Sequence, residues 1–367
     1  MLSLHYATRA PELLAFAAKV AAGWVRRYPT EEVPSAFAWY DMAVGLRGYR
    51  LAYLLDAAAR DRVIGDEIVS LLLASVRVHA RVLAGDRLFA KHSNHGMYFA
   101  AGQAALCRRF STLPGMAAGW AQGQQRLASL LDRHFTAEDV HAEHSPDYHR
   151  MVLELVLGLV GAGLIRDPAV VARCERIRAT LAWFILPNER LVTFGDSEYR
   201  RLPEYAARGG AGAVESAELK VFPKSGYAIV RQRGNRERSG TCLAQTCAFH
   251  SRVHRHADDL SFVWFDRGRR ILIDPGRFGY LGRTEVQSDL WKDGFWYADP
   301  RRIYVESTRA HNTVQIDGRN FARAGVVPYG SALLAWGGSG GAFYAVSRVR
   351  HWQTIVHTRI LVLAACP

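Results

Sequence analysis

The chain is poor in cysteine, with five in 367 residues, at Cys107, Cys174, Cys242, Cys247 and Cys366, and no Cys-x-x-Cys pair among them. A scattered, odd-numbered set argues against a disulfide framework or a thiolate zinc site and leaves buried free thiols as the ordinary expectation. Cys242 and Cys247 could pair if the compartment is oxidising. Long apolar runs are missing too. The longest, Met151 to Ile165, contains Glu154 and falls short of the roughly 20 residues a membrane span needs, so no transmembrane segment is expected. Glu12 and Lys19 spoil the apolar patch from Leu13 to Val25 as a secretory signal. On that ground the protein stays inside, or the sequence begins after its native start.

Fixed-period repeats are absent, so any structural repeat must be degenerate. No nucleic-acid motif is present either: the arginines are dispersed, as at Arg231, Arg233, Arg236 and Arg238, and no specific nucleic-acid partner is expected. Acidic residues are the scarcer charge. Asp plus Glu number 34 against 47 Lys plus Arg, a net charge of +13, which favours polyanionic partners. Nucleic acid, anionic lipid and acidic polysaccharide all satisfy that condition.

What is present is globular. A hydrophobic fraction of 49% with 22% charged residues excludes dominant disorder, and 367 residues suffice for two domains with separate cores. Residues 1–205 read as successive helices. Apolar positions recur at intervals of three and four, as in Leu51-Leu54-Leu55-Ala58 and Met151-Leu153-Val156-Leu157-Val160. Breaks at Pro29 to Pro34, Gly85-Asp86, Pro114-Gly115, Ser145-Pro146 and Asp167-Pro168 predict helical hairpins packed side by side. Residues 206–218, including Gly209-Gly210-Ala211-Gly212, read as a linker. Residues 219–367 turn to strands: Gly226–Arg231, Ser261–Phe265, Arg270–Ile273, Thr313–Ile316 and Thr358–Leu363, separated by Gly, Asp and Asn. An all-β domain, most simply a sandwich, is predicted there.

The stretch from His254 to His311 carries most of the recognisable chemistry. His254 and His256 stand at i and i+2, which on an extended strand points both imidazoles to one face. Asp274 and His311 would complete a nitrogen and oxygen set suited to Zn²⁺. If Leu260–Asp266 and Arg270–Asp274 form a hairpin about Gly268, Asp274 lies opposite Phe262, and His256 is six residues further along, roughly 20 Å if extended. The segment between His256 and Leu260 must then bend back if Asp274 is a ligand. Each histidine alone is more often an ordinary partly buried residue. In the helical half, His92-Ser93-Asn94-His95-Gly96 lies between helical runs, and Glu143 to His149 precedes the helix beginning near Met151, where Ser145 or Asp147 can serve as a cap.

Several ordered motifs together resemble the heparinase II/III-like polysaccharide lyases. They are Asn94-His95-Gly96, Glu143-x-Ser145-Pro146-x-Tyr148-His149, Phe194-Gly195-Asp196-Ser197, His254-x-His256-Ala257-Asp258-x-x-Ser261, Asp274-Pro275-Gly276 with Tyr280, and Ala310-His311-Asn312-Thr313-Val314. The resemblance spans residues 35–363. It implies an N-terminal α/α toroid, incomplete because the helical part is short, followed by an antiparallel β-sandwich that the sequence cuts short. It also implies β-elimination on a uronic-acid polymer, heparin-like, alginate or another exopolysaccharide, in the cleft between the two domains. Relatives of this kind work in the periplasm or cell envelope.

By the same resemblance Asn94, helped by His95, neutralises the substrate carboxylate, and Tyr148 and His254 match the catalytic tyrosine and histidine. His256, Asp274 and His311 match ligands of a structural zinc ion. Tyr297 matches a second active-site tyrosine, with Tyr304 as its competitor. Arg47 is a candidate for binding a substrate carboxylate or sulfate, against a structural salt bridge with Asp41. Glu143 is a candidate hydrogen-bond partner in the site, against a capping role. Two other functions compete: a non-catalytic acidic-polysaccharide binder, which keeps the basic charge and the fold but does not need Tyr148 and His254 together, and a uronyl C5-epimerase, which uses the same site to return the C5 proton without expelling O4.

Overall fold

The computed structural model describes every residue except 36, 207–216, 233–239 and 365–367. Eight helices come first: α1 (Leu2–Thr8), α2 (Pro11–Arg27), α3 (Asp41–Arg60), α4 (Asp66–Ala84), α5 (Asn94–Arg109), α6 (Met116–His134), α7 (Pro146–Gly161) and α8 (Pro168–Leu181). The strands follow as β1 (Glu218–Phe222), β2 (Tyr227–Gln232), β3 (Thr241–Thr246), β4 (Ala248–Phe249), β5 (Phe262–Asp266) and β6 (Arg269–Leu272). Two short helices, α9 (Asp289–Lys292) and α10 (Pro300–Glu306), precede β7 (Gly330–Ser331), β8 (Leu333–Ser339), β9 (Ala342–His351) and β10 (Ile355–Ala364). Most of the proposed linker lies outside the described residues.

The chain divides into two compact units, 1–133 with 156–171, and 134–155 with 172–367, so the division runs through α7. In the first unit the helices bury the stripes that their periodicity predicts. On α4, Leu72, Val76, His79 and Leu83 recur at the spacing of one face, and Leu72, Val76 and Leu83 join Leu14, Leu51, Leu55 and Phe99 in one core. No helix among the described residues is long and apolar enough to cross a membrane.

The second unit holds antiparallel sheets. One has the order β1-β2-β3-β5-β6, a second β10-β9-β8, and β4 pairs with β7. Alternate residues of β9, Ala345, Ser347, Val349 and His351, are buried, the period-two signature of one covered face. On that face Ser347 accepts a hydrogen bond from Gln245 of β3 at 2.9 Å, which ties the two larger sheets together as in a sandwich. The β5–β6 hairpin turns at Arg267-Gly268 and pairs Trp264 with Leu272.

Two local expectations need correction. Thr313–Ile316 forms no strand. Asn312 Nδ2 donates to the carbonyls of Phe262 and Ile273, and Thr313 Oγ1 to that of Asp259, so side chains take the positions a backbone ladder would need. His254 and His256 lie in a loop, not on a strand; His254 adopts a left-handed conformation with φ 57° and Leu260 another with φ 60°. Those two reversals supply the bend between His256 and the hairpin. Cys242 and Cys247 are free and buried, as are Cys107 and Cys174.

Candidate active site

The second unit builds its site around one carboxylate. Phe194-Gly195-Asp196-Ser197 is a tight loop in which Gly195 has φ 52°, and a Cβ there would stand 2.7 Å from the His254 carbonyl oxygen. Glycine therefore lets the loop lie directly against the His254 backbone, whose carbonyl accepts from the Asp196 N–H at 3.3 Å. Ser145 Oγ donates to the Asp196 carbonyl at 3.0 Å and accepts from Tyr148 N at 3.3 Å, so it caps α7 while fastening the loop. Asp147 instead pairs with Arg150 and Arg200.

Asp196 is buried and serves four side chains. Its Oδ2 accepts from His254 Nδ1 at 2.8 Å, from Tyr280 Oη at 3.0 Å and from Arg302 Nη2 at 2.9 Å. Its Oδ1 accepts from His256 Nε2 at 3.0 Å and from Arg302 Nη1. Burial alone would raise the carboxyl's pKa; the hydrogen bonds from both histidines and from Arg302 outweigh that and hold it well below the usual carboxylate range. An ionised carboxylate only accepts, so the proton of each facing imidazole nitrogen belongs to the histidine. His254 is thereby oriented with Nε2 turned away from Asp196, 3.7 Å from Glu143 Oε2.

Tyr148 stacks on His254, with ring centroids 3.7 Å apart and planes inclined by 23°. Its hydroxyl lies 3.0 Å from that of Tyr280. Burial raises the pKa of Tyr148 more than Arg277 and the Tyr280 hydrogen bond lower it, so the phenol keeps its proton. Tyr297 lies against Tyr280, with ring centroids 5.1 Å apart and planes inclined by 38°, whereas Tyr304 is exposed beneath Arg309. Of the two competing tyrosines, Tyr297 is the one beside the cluster.

His256, Asp274 and His311 gather in the same unit, all three buried, with ligand atoms within 4.8 Å of one another. His256 Nδ1 and His311 Nε2 are buried without a hydrogen-bond partner, while Asp274 Oδ2 lies 2.7 Å from His311 Nδ1. Zinc ligands of this kind stand about 2.1 Å from the ion, and two nitrogens with one carboxylate oxygen are a donor set that zinc takes. His256 also has the outer carboxylate partner, Asp196, that metal-bound imidazoles ordinarily carry. The residues present fit a zinc ion. A neighbouring group, Asp196, His256 and Glu306, fits less well because Arg302 and Arg323 already neutralise its two carboxylates.

The remaining candidates belong to the first unit. Asn94 opens α5, and Ser93 caps it by accepting from His95 N at 3.2 Å. His95 Nδ1 lies 3.2 Å from Asp41 Oδ2 and 3.3 Å from Tyr40 Oη. Arg47 does not pair with Asp41. Its Nε donates to His79 Nε2 at 2.8 Å, its guanidinium lies 4.0 Å from the Trp24 ring and 5.0 Å from Trp39, and Nη2 is buried without a partner.

Sequence reading passed over Asp196 and Arg302 as site residues. Asp196 stood inside a quoted motif, and its Gly-Asp-Ser context was the available signal; Arg302 had none.

Comparison with known proteins supplies the family. A model described as Heparinase II/III N-terminus matches residues 5–201, and one described as Heparinase II/III-like, C-terminal, matches residues 215–363. An alginate lyase of Stenotrophomonas maltophilia (strain K279a) is 26% identical over 143 residues, covering 35% of this chain and 18% of that protein. The crystal structure of heparinase III superposes with a TM-score of 0.74 at 15% identity, covering 98% of this chain and 59% of that one. A heparan sulfate lyase mutant from Pedobacter heparinus gives 0.72 at 18% identity, covering 98% and 57%. This chain thus spans less than two thirds of each relative's length. At such identities the structural likeness shows the fold, helical toroid then antiparallel sandwich. With its two models spanning both parts of the sequence, the chain belongs to the heparinase II/III family.

Proposed function

We propose that the protein is a polysaccharide lyase that cleaves a uronic-acid-containing acidic polysaccharide by β-elimination. The observation that carries this reading is the stack of Tyr148 on His254, with His254 Nδ1 held by Asp196. β-Elimination needs a base for the C5 proton, an acid for the departing O4, and neutralisation of the adjoining carboxylate. His254 offers Nε2 as the base because its other nitrogen is committed. Tyr148, kept protonated by burial, offers the acid. The C5–H electrons form the C4–C5 double bond, the C4–O4 bond breaks, and O4 takes the phenolic proton. The family resemblance gives Asn94 and His95 the carboxylate, and Glu143 and Tyr297 contacts to the sugar.

His256, Asp274 and His311 would hold a zinc ion, which when bound supplies a fixed charge that orders the loops around the site. The proton-transfer groups His254 and Tyr148 are not in that ligand set. A polymer of this class does not cross membranes, which supports a periplasmic or cell-envelope location. The test is incubation of purified protein with heparan-type, alginate and other uronate polymers, following ultraviolet absorbance of the unsaturated product. Absorbance that grows with the parent and vanishes with Tyr148→Phe supports the reading. No absorbance, with solvent deuterium appearing at C5, would replace it with epimerisation.

A further inference from the structure

A second concavity in the sheet-bearing unit, about 460 Å³, is of the size of small-molecule sites and is lined by Trp291, Trp296, Arg252, Lys292 and Arg323. Every charged side chain along it is basic; Arg255 adds a fourth cation, and no Asp or Glu lines it. Arg255 and Arg323 are answered from behind by Asp259 and Glu306. Arg252 donates to the Val326 carbonyl at 2.6 Å and, among the described residues, meets no carboxylate. The two indoles are 37% and 44% exposed, and neither stacks on another ring or guanidinium among the described residues. Two part-exposed indoles beside an arginine that meets no carboxylate offer an apolar face and a cation side by side, the pairing that a sugar ring bearing an anionic group can use.

The concavity is built, not incidental. Gly294, at φ 89°, would place a Cβ 2.9 Å from that of Arg323, so only glycine lets the loop after α9 lie against the Arg323 backbone. A buried chain of charges also leads from its wall to the active site. Arg323 Nη1 bonds Glu306 at 2.6 Å, Glu306 bonds Arg302, and Arg302 Nη2 bonds Asp196 at 2.9 Å, beside His254. A larger cavity of about 680 Å³ in the helical unit lacks this character, since Asp56 on its wall neutralises Arg109.

We infer that this concavity is a distal subsite for an anionic sugar of the same polymer, the indoles taking its apolar ring face and Arg252 its carboxylate or sulfate. The inference rests on the lyase reading and adds a place where chain length is sensed. The groups involved favour an acidic saccharide over a neutral one, because a neutral glycan would leave Arg252 unanswered.

The test measures binding of uronate hexasaccharides, one unsulfated and one sulfated, by calorimetry on protein carrying Tyr148→Phe. Arg252→Gln and Trp296→Ala are compared with Lys19→Gln, an exposed control with the same charge change as the first. The expected result is about tenfold weaker binding for the two subsite variants and none for the control, with unchanged turnover of the shortest cleaved oligosaccharide by the otherwise native enzyme. Weakening with both hexasaccharides identifies carboxylate recognition; weakening with the sulfated one alone identifies sulfate. A parent enzyme that cleaves the polymer while both variants bind as tightly as the control overturns the subsite only. A parent that neither binds nor cleaves overturns the lyase reading, and the subsite with it.

Discussion

Asp196 joins His254 to His256: its Oδ2 lies 2.8 Å from His254 Nδ1 and its Oδ1 3.0 Å from His256 Nε2. One carboxylate thus sets the tautomer of the imidazole proposed to move a proton and of an imidazole proposed to hold a metal. The sharing explains why the two histidines stand two residues apart without being on a strand. Each reaches a different oxygen of one group, and the left-handed residue at His254 turns the chain to allow it.

Asp196→Asn tests this sharing. An amide cannot accept from both histidines and from Arg302 at once, and among the described residues Arg302 keeps only Glu306 as an ion-pair partner. Breaking a buried ion pair from one side costs about 3–5 kcal/mol. Mis-set tautomers of a catalytic histidine lower kcat by roughly 10²- to 10⁴-fold. Thermal unfolding should therefore shift down and kcat fall while KM moves little. A variant with native kcat would remove Asp196 from the mechanism.

Tyr148→Phe removes the proposed acid and its hydrogen bond to Tyr280 while keeping the ring that stacks on His254. Binding of acidic oligosaccharide should survive while product formation drops by at least about 100-fold. Because burial raises the phenol's pKa, and the acid form is the active one, the alkaline fall in kcat/KM of the native enzyme should lie above the ordinary tyrosine range. An alkaline limb well below that range would reassign the acid.

Much of this arrangement was legible in the sequence. The change from helical to alternating patterning placed the sheets, and the ordered motifs picked out Tyr148 and His254, which stack, and His256, Asp274 and His311, which gather. What failed depended on contacts distant in sequence. The segment Thr313–Ile316 has strand-like residues, but Asn312 and Thr313 spend their side chains on carbonyls far along the chain. Arg47 sits six residues after Asp41, yet two tryptophans and His79 hold it elsewhere. The hub role of Asp196 and its pairing with Arg302, 106 residues away, leave no local pattern to read.

The metal proposal has its own test. Purified protein should carry about one zinc per chain, lost in His311→Ala and in Asp274→Asn. A ligand that binds only the folded state adds about 4 kcal/mol when present at roughly 1,000 times its dissociation constant, so chelation should lower Tm distinctly. Metal content by mass spectrometry, read beside Tm, separates a structural ion from none. Native-like zinc content in both variants would place the ion elsewhere.

Buried histidines predict how each unit answers acid. Burial, reinforced by the charge of Arg47, pushes His79 in the first unit down to about 3. Burial likewise pushes His149 in the second down to about 4, with the Ile177 carbonyl opposing it. Both are neutral in the folded chain and protonate near 6.5 once unfolded. Their contribution is therefore fully present above pH 6.5 and is lost progressively as pH falls from there toward 4 for His149 and 3 for His79, below which the loss levels off. Each such histidine gives a slope of about 1.4 kcal/mol per pH unit within its window. Urea unfolding at pH 7 and pH 5 should show markedly lower stability at pH 5. His149→Gln retains a donor for the Ile177 carbonyl but cannot titrate, so it should lower stability at pH 7 while flattening the pH dependence of the second unit. Equal stability of the native protein at the two pH values would show that these imidazoles are solvated or already charged in the fold.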